Sequence, residues 1–370
     1  MSPVPPDAAA GVPSLLVYPL KLCAATTVTT YVLSVITGNV SQVDRLWTFL
    51  PTIYTAYWAL LPLWPRKNDA GWRYLSPFVP EGGRPDVMDQ FNPRALLMLG
   101  LTVTWMCRLS YNTWRRGLFN LSDEDYRWAV LRTKIPRWLF QLTNLTFIAG
   151  IQNFLLLMLG FPTLRVAREG PIPLTSTDYI LAATALGLLA WEFTADNQQF
   201  AFHAFKAGHY RPSEHWPGAQ LTWTQADKQR GFCTKGLWAW SRHPNFFAEQ
   251  MFWGVINLFP LLAPKSNALG AHDPEPFGGG IPGAIRTIIM LLPCISLCTL
   301  FVSSTAFTES ISLSKYPEGY AAYRRRVSMF VPFLTPVWGA WLKVWSGEKE
   351  TQKVEGLVWG DVKAKGGKTE

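Results

Sequence analysis

Four polar residues recur at helical spacing in the otherwise apolar stretch LLAWEFTADNQQFAFHAFK. They lie 4, 3 and 4 residues apart and are Glu192, Asp196, Gln199 and His203. Residues at this spacing share one face of a helix. Ionisable groups inside a membrane span are costly unless they face the protein interior or a wet cavity. The row therefore predicts a ligand-binding face; the alternative is a polar stripe that joins helices through hydrogen bonds.

A second polar face lies at the end of another apolar stretch and carries Arg108, Asn112 and Arg115 at spacings of 4 and 3. Guanidinium groups bind phosphate with two parallel hydrogen bonds, and an Asn amide binds ribose or amide groups. The three residues therefore predict an anion-binding face. The alternative is an ordinary basic cap at the cytosolic end of a span.

The segment KGLWAWSRHPNFFAEQMFWG begins another apolar stretch with a charged cluster. Asn245 and Glu249 are four residues apart, so both can face one ligand. Arg242 and His243 precede Pro244, which suits the first turn of a helix because no backbone N–H is lost there. A helix N-terminus flanked by Arg and His is a natural anion site, so a functional reading is favoured over a structural histidine.

The last cluster lies in TESISLSKYPEGYAAYRRRVSMFVP, where Lys315, Gly319 and Tyr323 step by four along one helical face. Taken alone, this segment reads as a juxtamembrane basic patch attracted to anionic lipid.

The elements that must position these residues are long apolar helices. A span needs about 20 mostly apolar residues to cross roughly 30 Å of hydrocarbon. No internal repeat is visible, so a transporter of inverted halves is not favoured. The sequence predicts an all-α, multi-pass membrane bundle of about seven transmembrane helices, near residues 15–37, 46–64, 95–111, 138–164, 178–203, 244–264 and 284–304.

Composition agrees with a membrane protein and excludes other classes. The 370 residues are 49% apolar and 16% charged, against roughly 25% charged residues in soluble proteins. The net charge of +9 would indicate nucleic-acid binding in a soluble protein, but membrane proteins collect Lys and Arg in cytoplasmic loops. We therefore expect no nucleic-acid partner. The five cysteines have no metal-ligand spacing and predict neither a metal site nor a disulfide framework.

The basic residues also predict an orientation. Nine of the Lys and Arg residues fall in loops on the N-terminal side of the predicted spans and 24 on the other side, with Lys21 inside the first span. The positive-inside rule then places the N-terminus in the lumen and the C-terminus in the cytosol. All four polar clusters fall at cytosolic ends of spans or in cytosolic loops. Their convergence predicts one pocket that opens to the cytosol, basic at its mouth and apolar deeper in.

The regions outside the spans are predicted from their composition. We expect a flexible N-terminus over 1–14, without the basic region of a cleaved signal peptide, a single membrane domain over 15–346, and a polar, disordered cytosolic tail over 347–370. The aromatic segment 329–345 contains two prolines and is expected to lie at the membrane interface. No required protein partner is evident.

Four motifs in order resemble one family. These are RLSYNTWRRG with its following EDYRW, then WEFTADNQQFAFHAFK, GLWAWSRHPNFFAEQMFW and YPEGYAAYRRRVSMFVP. They resemble the steroid 5-alpha-reductase C-terminal-like family, and particularly its branch known as DUF1295, over roughly residues 40–340. The broader group includes sterol C14-reductases and prenylcysteine carboxyl methyltransferases, and the resemblance implies their multi-helix membrane fold.

The resemblance also implies a cofactor site for NADPH. Asn245 and Glu249 match the Asn and Glu that contact NADPH in steroid 5-alpha-reductases, and Asn112 and Arg115 match a second cofactor-holding pair. The remaining residues that we assign to the cofactor site are Arg108, Glu192, Asp196, Gln199, Arg242, His243, Lys315 and Tyr323. Two positions depart from the family pattern, with Phe246 for the usual Tyr and Ala248 for the usual Gly; Glu192 also stands where an Asn is expected.

These features predict an enzyme of the endoplasmic reticulum that reduces an activated C=C bond in a sterol-like or other lipid enone with hydride from NADPH. The family's catalytic Glu of the second span has no counterpart, so Tyr57 is the first candidate for the group that polarises the carbonyl, followed by Tyr54 and Asp44. Two alternatives stay open. In the first, the protein is an S-adenosylmethionine-dependent methyltransferase, whose carboxylates attract the positively charged sulfonium of the cofactor. In the second, it is a non-catalytic lipid-binding protein of the same fold.

Overall fold

The computed structural model describes residues 14–66, 75–79, 85–262 and 281–360. Within these ranges every regular element is helical, so the all-α class is confirmed. The chain divides into two compact units. Residues 1–13 of the predicted flexible N-terminus and residues 361–370 of the predicted tail lie outside the described residues.

The first unit comprises the described residues of Met1–Ala185 and Trp253–Leu297. A π-helix, Asn144–Ile151, connects two of its helices, and 3-10 turns cover Ser14–Leu16 and Leu61–Leu63. Its α-helices are α1 (Val17–Thr37), α2 (Gln42–Trp47), α3 (Leu50–Ala59), α4 (Pro85–Met88), α5 (Pro93–Arg115), α6 (Tyr126–Lys134), α7 (Arg137–Thr143), α8 (Gln152–Met158), α9 (Phe161–Ala167) and the beginning of α10 (Ser176–Ala207).

The second unit comprises the described residues of Leu186–Phe252 and Cys298–Glu370. It contains the rest of α10, together with α11 (Gln225–Arg230), the first half of α12 (Pro244–Leu262), the second half of α13 (Ile281–Lys315), α14 (Pro317–Arg326) and α15 (Thr335–Trp359). Short 3-10 turns cover Pro212–Glu214, Pro217–Ala219, Gly236–Ala239 and Pro332–Leu334.

Local chemistry explains where α5 begins and what it packs against. Asn92 caps the helix by accepting hydrogen bonds from the backbone N–H groups of Arg94 and Ala95, at 3.0 and 3.1 Å, and Pro93 occupies the first turn. Along its length α5 packs on α3, where the Thr52 hydroxyl donates to the Thr102 carbonyl at 3.0 Å. Capping and packing therefore hold α5, which carries the polar residues at its C-terminal end.

Polar side chains join α1 to the π-helix and α8. The Asn144 amide donates to the Ser34 hydroxyl at 2.7 Å, and the Asn153 amide donates to the Thr30 hydroxyl at 3.2 Å. All four side chains are buried. Hydrogen bonds of this kind connect helices where lipid offers no hydrophobic driving force for association.

Three helical segments are long and apolar enough to cross a membrane, namely Val17–Thr37, Arg137–Ala167 and Ile281–Lys315. They match the predicted spans at 15–37, 138–164 and 284–304. Large apolar side chains lie exposed along the first and third of these segments, including Ile36 at 74% and Ile289 at 62%. Lipid is the solvent that accommodates such faces, so exposure supports membrane insertion of the first and third segments, while the second qualifies by its length and composition.

The other predicted spans differ in detail. In place of one helix over 46–64, the structure has α2, α3 and a 3-10 turn. Pro51 lies in the first turn of α3, and Pro62 has no N–H to continue the helix. Helices α5, α10 and α12 lie where three further spans were predicted, but they are more polar and are not among the three segments that meet the criteria for a span. The count of seven spans stays a prediction.

The disorder expected from residue 347 onward was wrong for residues 348–359. They form the second half of α15, which bends at Gly347, where φ is +76°. Val354 and Val358 are buried, at the four-residue spacing that places both on one face, against Tyr320 and Tyr323.

A buried ion pair holds the end of α15 in place. The Arg230 guanidinium donates to the carbonyls of Leu357 and Gly360, at 3.1 and 2.8 Å, and to Asp227 at 2.7 Å. Asp227 also accepts from Lys235 at 2.5 Å. The C-terminal helix is thus part of the second unit.

Candidate functional site

The polar face predicted on α10 is buried at its inner end and reaches the surface at its outer end. Glu192 and Asp196 are only 3% and 4% exposed, Gln199 is half-buried, and His203 is exposed. The row therefore leads from the surface of the second unit into its interior. A buried carboxylate needs partners because desolvation disfavours its charge.

Asp196 contacts the first turn of α12. The Asn245 amide donates to the Asp196 carboxylate, with 3.1 Å between Nδ2 and Oδ1. This hydrogen bond joins two motifs that lie 49 residues apart in the sequence. It confirms that the polar face of α10 and the SRHPN segment come together.

Trp191, five residues before Asp196, contacts the same turn of α12. Its indole N–H donates to the Pro244 carbonyl at 3.2 Å, and its ring packs edge-on against Phe247, with 6.3 Å between ring centroids. Glu192 lies one helical turn before Asp196, and Glu249 lies about one turn after Asn245. Both are buried, at 3% and 4% exposure, so carboxylates line the inner part of this face.

Arg242 and His243 converge on a carboxylate that sequence reasoning missed. Arg242 binds Glu309 of α13 with two hydrogen bonds, at 2.7 and 3.1 Å, and Nε2 of His243 lies 3.0 Å from the same carboxylate. Nε of Arg324 lies 3.2 Å from the other Glu309 oxygen. We call these four residues the Glu309 cluster. It contains two guanidinium groups and one carboxylate, an arrangement suited to an additional anion.

The protonation of His243 depends mainly on its burial. Burial lowers the pKa of His243 below its ordinary value, although the Glu309 carboxylate acts in the opposite direction. The neutral form is therefore favoured, and the positive charge of the cluster comes from Arg242 and Arg324. A signal for Glu309 existed, because it is the one acidic residue of the TESISLSK segment, which follows directly on the apolar stretch predicted as a span at 284–304.

Backbone contacts hold the SRHPN segment in place. The N–H groups of Arg242 and His243 donate to the carbonyls of Ser328 and Met329, at 2.9 and 3.1 Å. Tyr323, which was predicted to bind cofactor, is 1% exposed, and its hydroxyl donates to the Trp238 carbonyl at 2.5 Å. Its hydrogen bonds indicate a positioning role for the backbone that leads to Arg242.

The other predicted residues of this unit have diverse surroundings. Gln198, next to the predicted Gln199, donates to the Gly218 carbonyl and accepts from the Leu237 N–H, at 2.9 and 2.8 Å, and so holds the loop before the SRHPN segment. Lys315 is exposed, with its ammonium 5.5 Å from the Tyr316 ring. It lies at the surface end of α13.

Phe246, the departure from the family pattern, fills an apolar position. Its ring stacks on His243, with 5.6 Å between centroids, and meets Phe301 edge-on at 4.9 Å. A phenyl ring therefore packs the wall next to the Glu309 cluster, where a Tyr would bring a hydroxyl.

In the first unit, the predicted anion-binding face lies at the C-terminal end of α5. Arg115 donates to the Asn112 side-chain oxygen through Nε and Nη2, at 3.0 and 2.8 Å. Arg108, one turn earlier, is 8% exposed, as is Asn112. The three residues share one face of the helix as predicted.

The segment that follows α5 is clamped by Arg45, which sequence reasoning did not single out. Arg45 is 9% exposed and donates to the carbonyls of Asn120, Leu121 and Asp123, at 2.9, 3.2 and 2.7 Å. A guanidinium with five N–H donors suits this role. The neighbouring Asp44 accepts from the Trp128 indole at 3.2 Å.

The three catalytic candidates lie at different levels of this unit. Tyr57 is buried and donates to the Phe78 carbonyl at 2.9 Å, and Tyr54 is fully buried. Since α3 and α5 meet at Thr52 and Thr102, the helical rise places Tyr57 about 20 Å along the axis from Asn112. Asp44 lies at the Asn112 end. Burial raises the pKa of Asp44 above its ordinary range, which favours its protonated, proton-donating form.

Among the described residues, no group of three or more His, Cys, Asp or Glu side chains is arranged to hold a metal ion. All five cysteines are free thiols. The candidate site therefore consists of guanidinium, amide, carboxylate and hydroxyl groups, in one set for each unit.

Comparison with known proteins identifies the family. Residues 86–270 match the family described as "Protein of unknown function (DUF1295)". The chain belongs to the DUF1295 family. It is also 30% identical, over 302 residues, to the uncharacterized protein C594.04c of Schizosaccharomyces pombe, a match that covers 81% of this chain and 75% of that protein. No solved structure matches the chain significantly. The DUF1295 match includes the α5 face, the α10 face and the SRHPN segment.

Proposed function

We propose that this DUF1295 protein is a membrane-embedded reductase that uses NADPH to reduce an activated C=C bond in a sterol-like or other lipid enone. One observation carries the proposal: the hydrogen bond between Asn245 and Asp196 in the buried polar face of the second unit. Asn245 matches a cofactor-binding Asn of the steroid 5-alpha-reductases that the chain resembles, and Asp196 now supplies its partner.

The donor set of the second unit fits such a cofactor chemically. The Asn245 amide and the carboxylates of Asp196 and Glu249 can exchange hydrogen bonds with ribose hydroxyls and a carboxamide. The cationic excess of the Glu309 cluster suits a phosphate group. In the first unit, Arg108, Asn112 and Arg115 offer a second set of the same character.

NADPH, when bound, supplies a hydride. The chain's own residues bind and orient, and one of them must donate a proton or polarise a carbonyl. Within the second unit, Asn245 and Asp196 fix each other, while Tyr323 and the carbonyls of Ser328 and Met329 fix the backbone of the SRHPN segment. This prior ordering lowers the entropic cost of binding a ligand there.

For the proton donor, Tyr57 stays the first candidate, because its buried hydroxyl is already oriented by the Phe78 carbonyl. Asp44 has the advantage of lying at the Asn112 end of α5. Loss of a general acid costs about 10²- to 10⁴-fold in rate. We therefore expect Tyr57→Phe or Asp44→Asn, measured separately for turnover of a lipid enone, to identify the donor by a loss of at least a hundredfold without a change in NADPH affinity.

The decisive experiment is calorimetric titration of the detergent-solubilised full chain with NADPH and, separately, with S-adenosylmethionine. We expect NADPH to bind, and Asn245→Ala to weaken that binding at least tenfold. The matched control is Asn257→Ala on the same helix, where a fully buried Asn donates only to the Trp253 carbonyl at 2.7 Å among the described residues. This control variant should bind NADPH like the parent.

Methyl transfer is the second candidate, and a specific observation favours it. Glu192, Asp196 and Glu249 are three buried carboxylates in the second unit, and a sulfonium cofactor is attracted by negative charge. Binding of S-adenosylmethionine without NADPH binding would replace the reductase proposal with this one. Binding of neither would indicate a non-catalytic lipid-binding protein.

The setting of the reaction completes the proposal. We place the protein in the endoplasmic reticulum membrane as a multi-pass protein, with the N-terminus in the lumen and the C-terminus in the cytosol, as the positive-inside rule predicts. A glycosylation acceptor placed before α1 should be modified if this orientation is correct, and one placed after α15 should not.

A further inference from the structure

A cavity of about 640 Å³ lies within the second unit, beside the C-terminal end of α13. Arg242 contributes to its wall, and Arg324 and Arg325 of α14 lie at its rim. Most of the remaining lining is apolar and includes Phe330 and Trp338. A cavity that combines cations with an apolar wall suits an amphiphilic anion.

The guanidinium groups at the rim retain hydrogen-bonding capacity. Arg324 contacts Glu309 through Nε, and Arg325 donates to Glu350 and Ser346, at 2.9 and 3.2 Å. Their side chains are 44% and 46% exposed. Each guanidinium has five N–H donors, so both keep donors that point to solvent. With Arg242, three guanidinium groups stand against the two carboxylates of Glu309 and Glu350.

The apolar wall continues into an exposed aromatic stripe on α15. Trp338, Trp341 and Trp345 follow at spacings of 3 and 4, so they share one helical face, and they are 41%, 65% and 71% exposed. Phe333, just before α15, is 76% exposed. Trp is enriched at the headgroup level of membranes, where its apolar ring and polar N–H are both accommodated.

The position of the stripe in the chain favours a lipid occupant. Helix α14 begins two residues after α13, one of the three segments long and apolar enough to cross a membrane, and α15 follows after α14. A free phosphate would not need the apolar wall, and a soluble nucleotide would not need the exposed tryptophans. The bilayer supplies both a phosphate and acyl chains.

We propose that the cavity binds the phosphate of an anionic phospholipid, with Arg324 and Arg325 on the headgroup and the Trp338 stripe among the acyl chains. This lipid site borders the Glu309 cluster and shares Arg242 and Arg324 with it, whereas Arg325 lies outside that cluster. The positive-inside rule predicts that it belongs to the cytosolic leaflet. The lipid would anchor α14 and α15 at the membrane surface.

The test uses native mass spectrometry of the delipidated, detergent-solubilised full chain, titrated with phosphatidic acid or phosphatidylcholine. We expect the first phosphatidic acid adduct at a concentration at least tenfold lower than the first phosphatidylcholine adduct. In Arg325→Gln this preference should fall to less than threefold, and Trp338→Ala should weaken both lipids several-fold. NADPH affinity should be unchanged in Arg325→Gln.

Two control variants separate lipid binding from other effects. Glu350→Gln breaks the same ion pair but leaves the Arg325 guanidinium in place, so the preference should be kept or increased. Arg211→Gln removes an exposed Arg of the same unit, 76% exposed, and should change nothing. A loss of preference in either variant would overturn the proposal, as would an undiminished preference in Arg325→Gln. Inorganic phosphate that competes as well as the lipid would also overturn it.

Discussion

Two buried Arg–carboxylate clusters of this protein use the same contact in opposite surroundings. In the first unit, Arg94 binds Asp178 with two hydrogen bonds, at 2.6 and 3.1 Å, and Glu169 lies 3.9 Å away. We call these three residues the Arg94 cluster. All three side chains are at most 4% exposed. In the Glu309 cluster of the second unit, by contrast, one carboxylate serves two arginines, and one of them, Arg324, is 44% exposed.

The difference separates a structural ion pair from one suited to a ligand. A sealed pair with matched hydrogen bonds has no capacity for another partner, and removing one member leaves a buried charge. A cluster with excess positive charge and an exposed guanidinium can accept a further anion. Two bidentate Arg–carboxylate contacts of similar length can therefore have different functions. The exposure of the guanidinium groups and the net charge of the cluster distinguish them better than the hydrogen-bond distance does.

The largest expected effect is on the sealed cluster. Arg94→Met leaves Asp178 buried without its guanidinium, which should lower the free energy of unfolding by about 3–5 kcal/mol. The measurement is thermal unfolding of the detergent-solubilised protein. The matched control is Arg66→Met, since Arg66 pairs with Asp89 on the surface, where side chains are 39% and 60% exposed. A surface pair contributes roughly 0–1 kcal/mol, so equal losses in the two variants would contradict the distinction.

A smaller stability effect and a larger binding effect are expected at the open cluster. Glu309→Gln keeps one oxygen acceptor for Arg242 but removes the negative charge that orients the Arg242 guanidinium. We therefore expect the affinity for NADPH to fall about tenfold. The free energy of unfolding should fall by less than in Arg94→Met. Calorimetry and thermal unfolding check the two parts. Glu169→Gln, in the Arg94 cluster, should leave NADPH affinity unchanged. If Glu309→Gln is destabilised but binds NADPH normally, the Glu309 cluster has a structural role, like the Arg94 cluster.

The smallest effect concerns the ion pair at Asp227, which resembles the Arg94 cluster in being sealed. Burial alone would raise the pKa of Asp227, but hydrogen bonds from Lys235, Thr224 and Arg230 hold it below its ordinary value. Its stabilisation is therefore present above the unfolded pKa of about 3.9 and is lost as the pH falls through the lower folded pKa. Asp227→Asn should lower the melting temperature at pH 7, and the gap from the parent should shrink below about pH 4.

The reactivity of the Cys233 thiol, which lies close to Lys235, shows how well the region around the Asp227 ion pair excludes solvent. Burial raises the pKa of Cys233 to about 12, and its Sγ lies 3.8 Å from the Lys235 carbonyl. N-ethylmaleimide should therefore modify Cys233 slowly at pH 8 in the parent and faster in Asp227→Asn, whereas the exposed Cys107 should react alike in both. A gap in melting temperature that stays constant down to pH 2 would show that the Asp227 charge is not involved.

Helical spacing was a reliable guide to which polar residues share a face. It predicted the α10 row, the Asn112–Arg115 pair and the position of Asn245 on α12, because these depend only on the 3.6-residue period and on the cost of exposing charge to lipid. The sequence predicted that these clusters converge on one pocket, but the specific contact between Asp196 and Asn245 came only from the structure.

Partners set by tertiary packing could not be predicted in the same way. Glu309 stands alone in its motif, and nothing in the local sequence indicates that Arg242 and His243 would bind it. Tyr323 has a spacing typical of a ligand contact but uses its hydroxyl on a backbone carbonyl. In the tail, polar composition concealed the pair Val354 and Val358, whose spacing of four was the remaining signal of a packed helix.

Helix α13 contains both a candidate membrane span and Glu309 of the Glu309 cluster. Its 35 residues rise about 52 Å, well beyond the roughly 30 Å of hydrocarbon. The exposed isoleucines near its beginning and Glu309 near its end belong to one helix. Helices adapt to thicker or thinner bilayers by tilting. A change in membrane thickness would therefore move Glu309 in height, so sterol-rich and sterol-poor membranes would present the cluster at different depths.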